Sequence, residues 1–497
     1  MKNRRQSLVV RRLFACVLML SFLGVGFLSA QQDQQNQQNQ QDQNQTGNQN
    51  QNRTGRNQNQ NQTDGNQNQV GGNQTNDRPG GGVFINANGV LTRHAALDFD
   101  RVAPRKINAA RASHVLPGDV SAKSPMRCVS LNRLEKSLIA AAGIPTEEMA
   151  CLAGIQRITH VFYFPESKDI VIAGPAEGWF PGYEGAMVGK TTSLPVCELQ
   201  DLVVALRAYP PGENSAGQII GCSIDPTAEG INQLQQFTTR FRGGLNNRQA
   251  FVNGIRQAVG MQTIRVDGIP GTTNAARMMV AADYRMKLIG LGIDSKPIRR
   301  MDTFIDHTVP NASDKLFRWY FTPDYDSVLL TEDHTGMELV GSGVKLVAEN
   351  EIIGEGTPAV GELDPGSKAY TRSFTQHYSQ IAGKALVFAQ LRNWIDMLIC
   401  AAHIQREDFY GKAGWSMEFF ASEEKYSLER FTVPQEVEPV VGGRAVGLVY
   451  VAPVGGGVVI DAARALDEAK KNDKIADVQK GVALNLPDGV WWWDVKL

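Results

Sequence analysis

Between residues 31 and 70, 28 of 40 side chains are Gln or Asn. Such a segment has too few apolar groups to offset the entropy lost on ordering it, so it cannot belong to a packed core. Residues 31–80 are therefore expected to be a disordered linker, ended by Gly80-Gly81-Gly82. Amide-rich tracts can also self-associate, but Gly and Thr interrupt this one repeatedly, and a spacer is the preferred expectation.

The residues before the tract have a different character. Lys2, Arg4, Arg5, Arg11 and Arg12 precede an apolar run from Leu13 to Leu28, which closes on Ser29 and Ala30. A positive end, a short apolar segment and small residues form the layout of a secretory signal over residues 1–30. The chain is accordingly expected to be exported, to a periplasmic, cell-surface or secreted location. Membrane attachment is expected only if that segment stays uncleaved. Five of the 50 basic residues and none of the 51 acidic ones lie there, so the chain without its leader carries −6 rather than −1. An acidic product without a basic stripe gives no electrostatic basis for nucleic-acid binding.

The rest has ordinary globular composition. Helix and strand patterns mix throughout, which predicts an α/β or mixed α+β fold with hairpin-containing mixed sheets and packed helices. Residues 81–365 read as one mixed region. His160–Phe164 and Ile170–Ala173 are predicted to pair as a hairpin across a Pro/Glu/Ser turn. Leu316–Phe321 and Val328–Leu330 repeat that pattern, which suggests an internal duplication. Helices are predicted at Leu131–Ala142, Leu199–Ala208 and Thr272–Tyr284, with strands at Gln218–Ser223, Gln262–Val266 and Met286–Leu291. Asp225 is expected to cap the helix that follows it. Residues 366–497 are expected to hold a helical hairpin, Tyr370–Ala382 against Lys384–Arg406. Strands at Arg444–Val451 and Gly457–Ile460 and a charged helix at Leu466–Gln479 complete the region. Lys384–Arg406 is apolar on nearly all sides, but Arg392, Asn393 and Asp396 interrupt it, which argues for a buried soluble helix over a membrane span. On a strand, Trp491 and Trp493 share a face.

No motif announces a reaction. There is no G-x-S-x-G elbow, no CxxC and no HExxH, and Gly455-Gly456-Gly457 lacks the Lys-Ser/Thr of a phosphate loop. The best thiol arrangement is Cys222 with His160 and Asp225, because Cys222 stands just before a predicted helix start that would favour a thiolate. Against it, each Cys has apolar neighbours and suits a small buried residue; the five beyond the leader are an odd number, which leaves at least one unpaired and room for one disulfide. Asp302, Asp306, His307, Asp333 and His334 form the one local Asp/His group, and Asp302 and Asp306 would face one way on a helix. Without a three- or four-ligand pattern a solvated loop is the better explanation of that group, so no metal and no cofactor is expected.

Four strings carry a resemblance: IVIAGPAEGW at 170–179, DLVVALRAYPPG at 201–212, GCSIDPT at 221–227 and RMKLIG at 285–290. They resemble an uncharacterised family of exported proteins of planctomycete bacteria, over most of residues 83–480. That resemblance implies bacterial export and brings no activity. The functional expectation is an exported, envelope-associated protein that is structural or binds a ligand or partner, such as an envelope component or another exported protein. The alternative is an extracytoplasmic hydrolase using the Cys/His or the Asp/His residues.

Overall fold

A computed structural model describes residues 83–85, 90–93, 108–182, 186–212, 215, 217–241, 248–307, 317–349, 364–432, 434–441, 454–482 and 486–495. The leader, the Gln/Asn tract and the predicted strand at 444–451 lie outside these. Gln74–Leu497 form one compact unit, of mixed α+β class, as expected. Residues on both sides of position 365 contribute strands to both main sheets.

The larger sheet has eight strands. In spatial order they are Val83–Ile85, Val90–Arg93, Glu436–Val437, Gln262–Asp267, Ile219–Pro226, Val454–Asp461, Phe317–Asp324 and Gly343–Ala348. Most neighbours are antiparallel, but Val454–Asp461 runs parallel to Phe317–Asp324. Side chains alternate as strand geometry requires. Phe317, Trp319 and Phe321 are buried, whereas Arg318, Tyr320 and Thr322 are half-buried on the other face. The Gly455-Gly456-Gly457 string has a packing reason: a Cβ on Gly456 would lie 1.9 Å from the Trp319 carbonyl oxygen, and one on Gly457 1.8 Å from that of Cys222. Only glycine lets the neighbouring strands come so close.

The smaller sheet orders Lys470–Lys471, Ser327–Leu330, Gly336–Val340, His160–Phe164, Asp169–Ala176, Ser124–Ser130 and Trp492–Asp494. Both of its faces are covered. Val161, Ile172 and Leu339 join the main core, while Phe162, Phe164 and Val171 pack with Ile475 of the Lys474–Gly481 helix. Two-sided burial explains why His160–Phe164 is buried at every position instead of alternating.

One hydrophobic cluster joins the inner faces of both sheets to the helices Leu199–Ala208, Asn274–Gly290 and Leu386–Arg406. In the last of these, 17 of 21 residues are buried. Among the described residues no helix is long and apolar enough to cross a membrane. Its neighbours are Leu199–Ala208, Asn274–Gly290 and Ala462–Asp467. The expected helical hairpin is not confirmed: Pro365–Gln376 packs chiefly on the edge strand Gly343–Ala348 and meets the long helix where Phe374 lies edge-to-face on Phe388 at 5.2 Å, while the short Tyr378–Ala382 helix packs against the long one.

Three further expectations change. Phe317–Asp324 and Ser327–Leu330 are not a second hairpin, because they belong to different sheets. A Pro/Asp turn has the same local chemistry whether the chain reverses or passes to another layer. Residues 286–290 continue the Asn274–Gly290 helix, because a short apolar run suits a buried helix as well as a strand. The charged segment after residue 466 divides into the end of Ala462–Asp467 and the Lys474–Gly481 helix, with Lys470–Lys471 between them as an edge strand.

Among the crossings between the sheets, two are short linkers of two residues each, Tyr325-Asp326 outward and Gly341-Ser342 back. They run side by side, with the Asp326 amide donating to the Val340 carbonyl at 2.9 Å. Both are tied to Asp396, which is fully buried in the long helix. Tyr325 Oη donates to Asp396 Oδ1 at 2.7 Å. Arg157 donates from Nε to Asp396 Oδ2 at 2.7 Å and from Nη2 to Oδ1 at 3.2 Å, while its Nη1 donates to the Gly341 carbonyl at 2.8 Å. Burial opposes the charge on Arg157, but Asp396 outweighs it and holds the guanidinium protonated. Asp396→Leu would leave a buried cation without its partner, and a loss of about 3–5 kcal/mol in urea unfolding is expected. A loss below about 1 kcal/mol would show that the linkers do not depend on this group.

Candidate functional site

The residues singled out from the sequence do not come together as one site. Cys222 lies in the larger sheet on the Ile219–Pro226 strand and His160 in the smaller sheet. The Cys222 thiol is buried and pushed well above its ordinary range by burial, with Asp283 adding to the effect and Lys287 opposing it. That is the reverse of an activated thiolate. The residue that caps the Ala228–Arg240 helix is Thr227, which accepts from Gly230 N at 3.0 Å; Asp225 ends the strand instead. His160 is pushed down to about 4 by burial and is neutral at ordinary pH. Its ring nitrogen Nδ1 lies 2.9 Å from Thr159 Oγ1, and Nε2 lies 3.8 Å from Glu338, beyond hydrogen-bond reach.

The Asp/His residues are likewise dispersed. Asp302 precedes the short Phe304–His307 helix and pairs with His307 at 3.2 Å. Asp306 accepts from Lys296 Nζ at 2.6 Å and from Thr303 N and Oγ1. Asp333 closes a turn by accepting from Thr331 and Thr335, and His334 Nδ1 meets Glu407 at 3.1 Å. Among the described residues no three His, Cys, Asp or Glu side chains are grouped as metal ligands. Cys128, Cys151, Cys197, Cys222 and Cys400 are all buried. Trp491 packs in the main core, whereas Trp493 packs against the second cluster. The strand starts at Trp492, so the alternation does not extend back to Trp491.

A polar centre that the sequence did not disclose sits at the glycine-rich strand, on both faces of the larger sheet. On the inner face, Lys287 and Asp283 form a fully buried ion pair one helical turn apart, at 2.7 Å. Lys287 Nζ also lies 3.4 Å from the carbonyl oxygens of Ile224 and Gly456, on the two strands beneath it. Asp283 Oδ1 is buried without a partner. On the outer face, Arg318 donates from Nε to Asp225 Oδ1 at 3.3 Å and from Nη1 to Glu349 at 3.2 and 3.4 Å. These three side chains keep 22, 37 and 31 % exposure in the order Arg318, Asp225, Glu349. Gly455 forms the floor, since a Cβ there would lie 3.0 Å from Asp225 Oδ1 and 3.2 Å from Arg318 Cγ. Burial, then Asp225 and Glu349, push the nearby Tyr320 hydroxyl up, so it stays a neutral donor. The outer group offers fixed donors and acceptors and carries one surplus negative charge. It contains no thiol and no imidazole.

The signal for the inner pair was Asp283 and Lys287 at i, i+4 in an otherwise apolar stretch, which the expected strand at 286–291 concealed. Arg318, Asp225 and Glu349 are far apart in sequence, and only strand register brings them together.

Two outcomes follow. In the folded chain Cys222 is expected to resist iodoacetamide at about pH 8 and to react after unfolding; labelling in the native state would restore the thiol site. Burial outweighs Lys287 and raises Asp283 from 3.8 to about 6. The folded chain therefore binds this proton more tightly than the unfolded chain. The resulting stabilisation is complete below about pH 4 and is lost as pH rises through about 6. Asp283→Asn removes that loss, so its Tm relative to the native chain should rise between about pH 4 and 6 and then level off. A Tm difference that is constant across this range would refute the assignment.

No curated protein and no solved structure matches the chain. A family model described as a protein of unknown function (DUF1598) matches residues 222–303, the segment from Cys222 to Thr303 that contains Asp225, Asp283 and Lys287.

Proposed function

We propose that this chain is an exported envelope protein that works by binding a ligand or partner. The observation that carries the reading is the Arg318 guanidinium held between Asp225 and Glu349, half-exposed over a glycine floor. Paired donors and acceptors in a fixed arrangement suit a hydroxyl-rich ligand, and Tyr320 adds an aromatic body on the same face. Glycans and other polar envelope components are the matching class. Export is supported by the leader and the polar spacer, and the strings at 170–179, 201–212, 221–227 and 285–290 favour a planctomycete type of exported protein. Among the described residues, the geometry around Cys222 and around Asp302, Asp306, His307 and His334 does not favour the hydrolytic alternative.

The test is binding of the purified chain to isolated envelope fractions and a glycan panel, alongside Arg318→Gln. Saturable binding is expected, weakened about tenfold by the substitution, as for loss of one charged hydrogen bond. No binding to any fraction or glycan would refute the proposal. Recovery of the intact chain, leader included, from the cytoplasm would refute its export.

A further inference from the structure

The long helix holds a second cation one turn before Asp396. Arg392 is 8 % exposed, and its Nε is buried without a partner. Among the described residues its guanidinium makes no hydrogen bond and no ion pair. Asp396, at i+4, is not available to it. Oδ1 accepts from Tyr325 and Arg157, and Oδ2 accepts from Arg157 Nε. Two guanidinium groups thus share one carboxylate, a surplus of one positive charge. The neighbouring acids do not offset it, because burial keeps Tyr325, Tyr378 and Cys197 protonated. An arginine cannot escape burial by losing its proton, as a lysine can. A buried charge without a counter-charge is among the costliest arrangements a core can contain.

The wall opposite is glycine. Gly343 has φ +81°, and a Cβ there would lie 3.1 Å from Arg157 Nη2, 3.3 Å from Arg392 Cγ and 3.3 Å from Asp396 Oδ1. The first residue of the Gly343–Ala348 strand therefore presents bare backbone to the Arg157 guanidinium and to the stem of Arg392.

We infer that Arg392 is the anchor of an anion site, taking the carboxylate of a small ligand beside the Arg157–Asp396 pair. The class follows from the groups present. A free guanidinium fork offers two parallel N–H donors, which match a carboxylate. A surplus of one charge calls for a monoanion. A phosphate would need donors for further oxygens, whereas the nearby hydroxyls of Tyr325 and Tyr378 already donate to Asp396 and the Phe388 carbonyl.

The probes are acetate and formate, titrated against the full chain at constant ionic strength, with chloride and inorganic phosphate as comparisons. Calorimetric binding and a saturable rise in Tm are expected for the carboxylates. Arg392→Met should abolish both, and Arg392→Lys should bind about tenfold or more weakly, because it keeps the charge but loses the fork. Phenylglyoxal labelling of the native chain needs no variant: acetate should protect the peptide carrying Arg392 and leave that carrying the exposed Arg265 unprotected. Three results would overturn the assignment: no binding of either carboxylate, equal binding by Arg392→Met, or binding of chloride or phosphate alone. Should Arg392→Met fail to fold, the labelling decides, and absence of protection at Arg392 overturns the site.

Discussion

Asp396 holds this architecture together. Its two oxygens receive Arg157 and Tyr325, and through them the two short linkers Tyr325-Asp326 and Gly341-Ser342 are fixed to the long helix. The two layers otherwise meet through apolar contacts, which are strong but non-directional. A carboxylate with three directed hydrogen bonds from two partners supplies what those contacts lack, a defined relative position of the two strand sets. Gly341 completes the joint, with φ +106° and a missing Cβ that would lie 2.7 Å from Asp326 N.

The same device recurs wherever the chain must be positioned rather than merely buried. Arg127 is fully buried, pairs with both oxygens of Asp494, and donates to the carbonyls of Val120, Ala122 and Ala153. It also lies 4.6 Å from the Trp492 ring centroid, so a single cation secures the last strand. Glu177 accepts from Gln156, Thr191 and Thr192 and shapes the loop beside it. Burial raises its carboxyl, but these donors win, and it is held below the ordinary range. Glu135 receives Trp415 and the amides of Phe419 and Phe420. Buried charges here orient backbone segments that have little regular structure of their own.

Local features were legible in the sequence. The Ser130 cap, the helix at Leu199–Ala208 and the strand pair around Asp169 depend on neighbouring residues, and they form where propensity and capping place them. Sheet membership was not legible, because the partner of Phe317–Asp324 is chosen by residues near 343 and 454. The candidate site was hidden for the same reason. Asp225, Arg318 and Glu349 carry no common motif, and their meeting depends on strand register. Arg392 and Asp396 stood out as interruptions of an apolar helix. Composition read them as evidence against a bilayer, whereas their role is internal and depends on Arg157, 239 positions from Asp396.

The glycine-rich strand Val454–Asp461 lies between Ile219–Pro226 and Phe317–Asp324, although it comes much later in the chain than either. Until that segment has been synthesised, the larger sheet is two partial sheets with open edges in the positions that will become its centre. Its closure is a late and non-local event, which slows folding and leaves strand edges exposed in the meantime. A sheet organised this way stays open until Val454–Asp461 has been made, and the three consecutive glycines of that strand act as the wedge that shuts it.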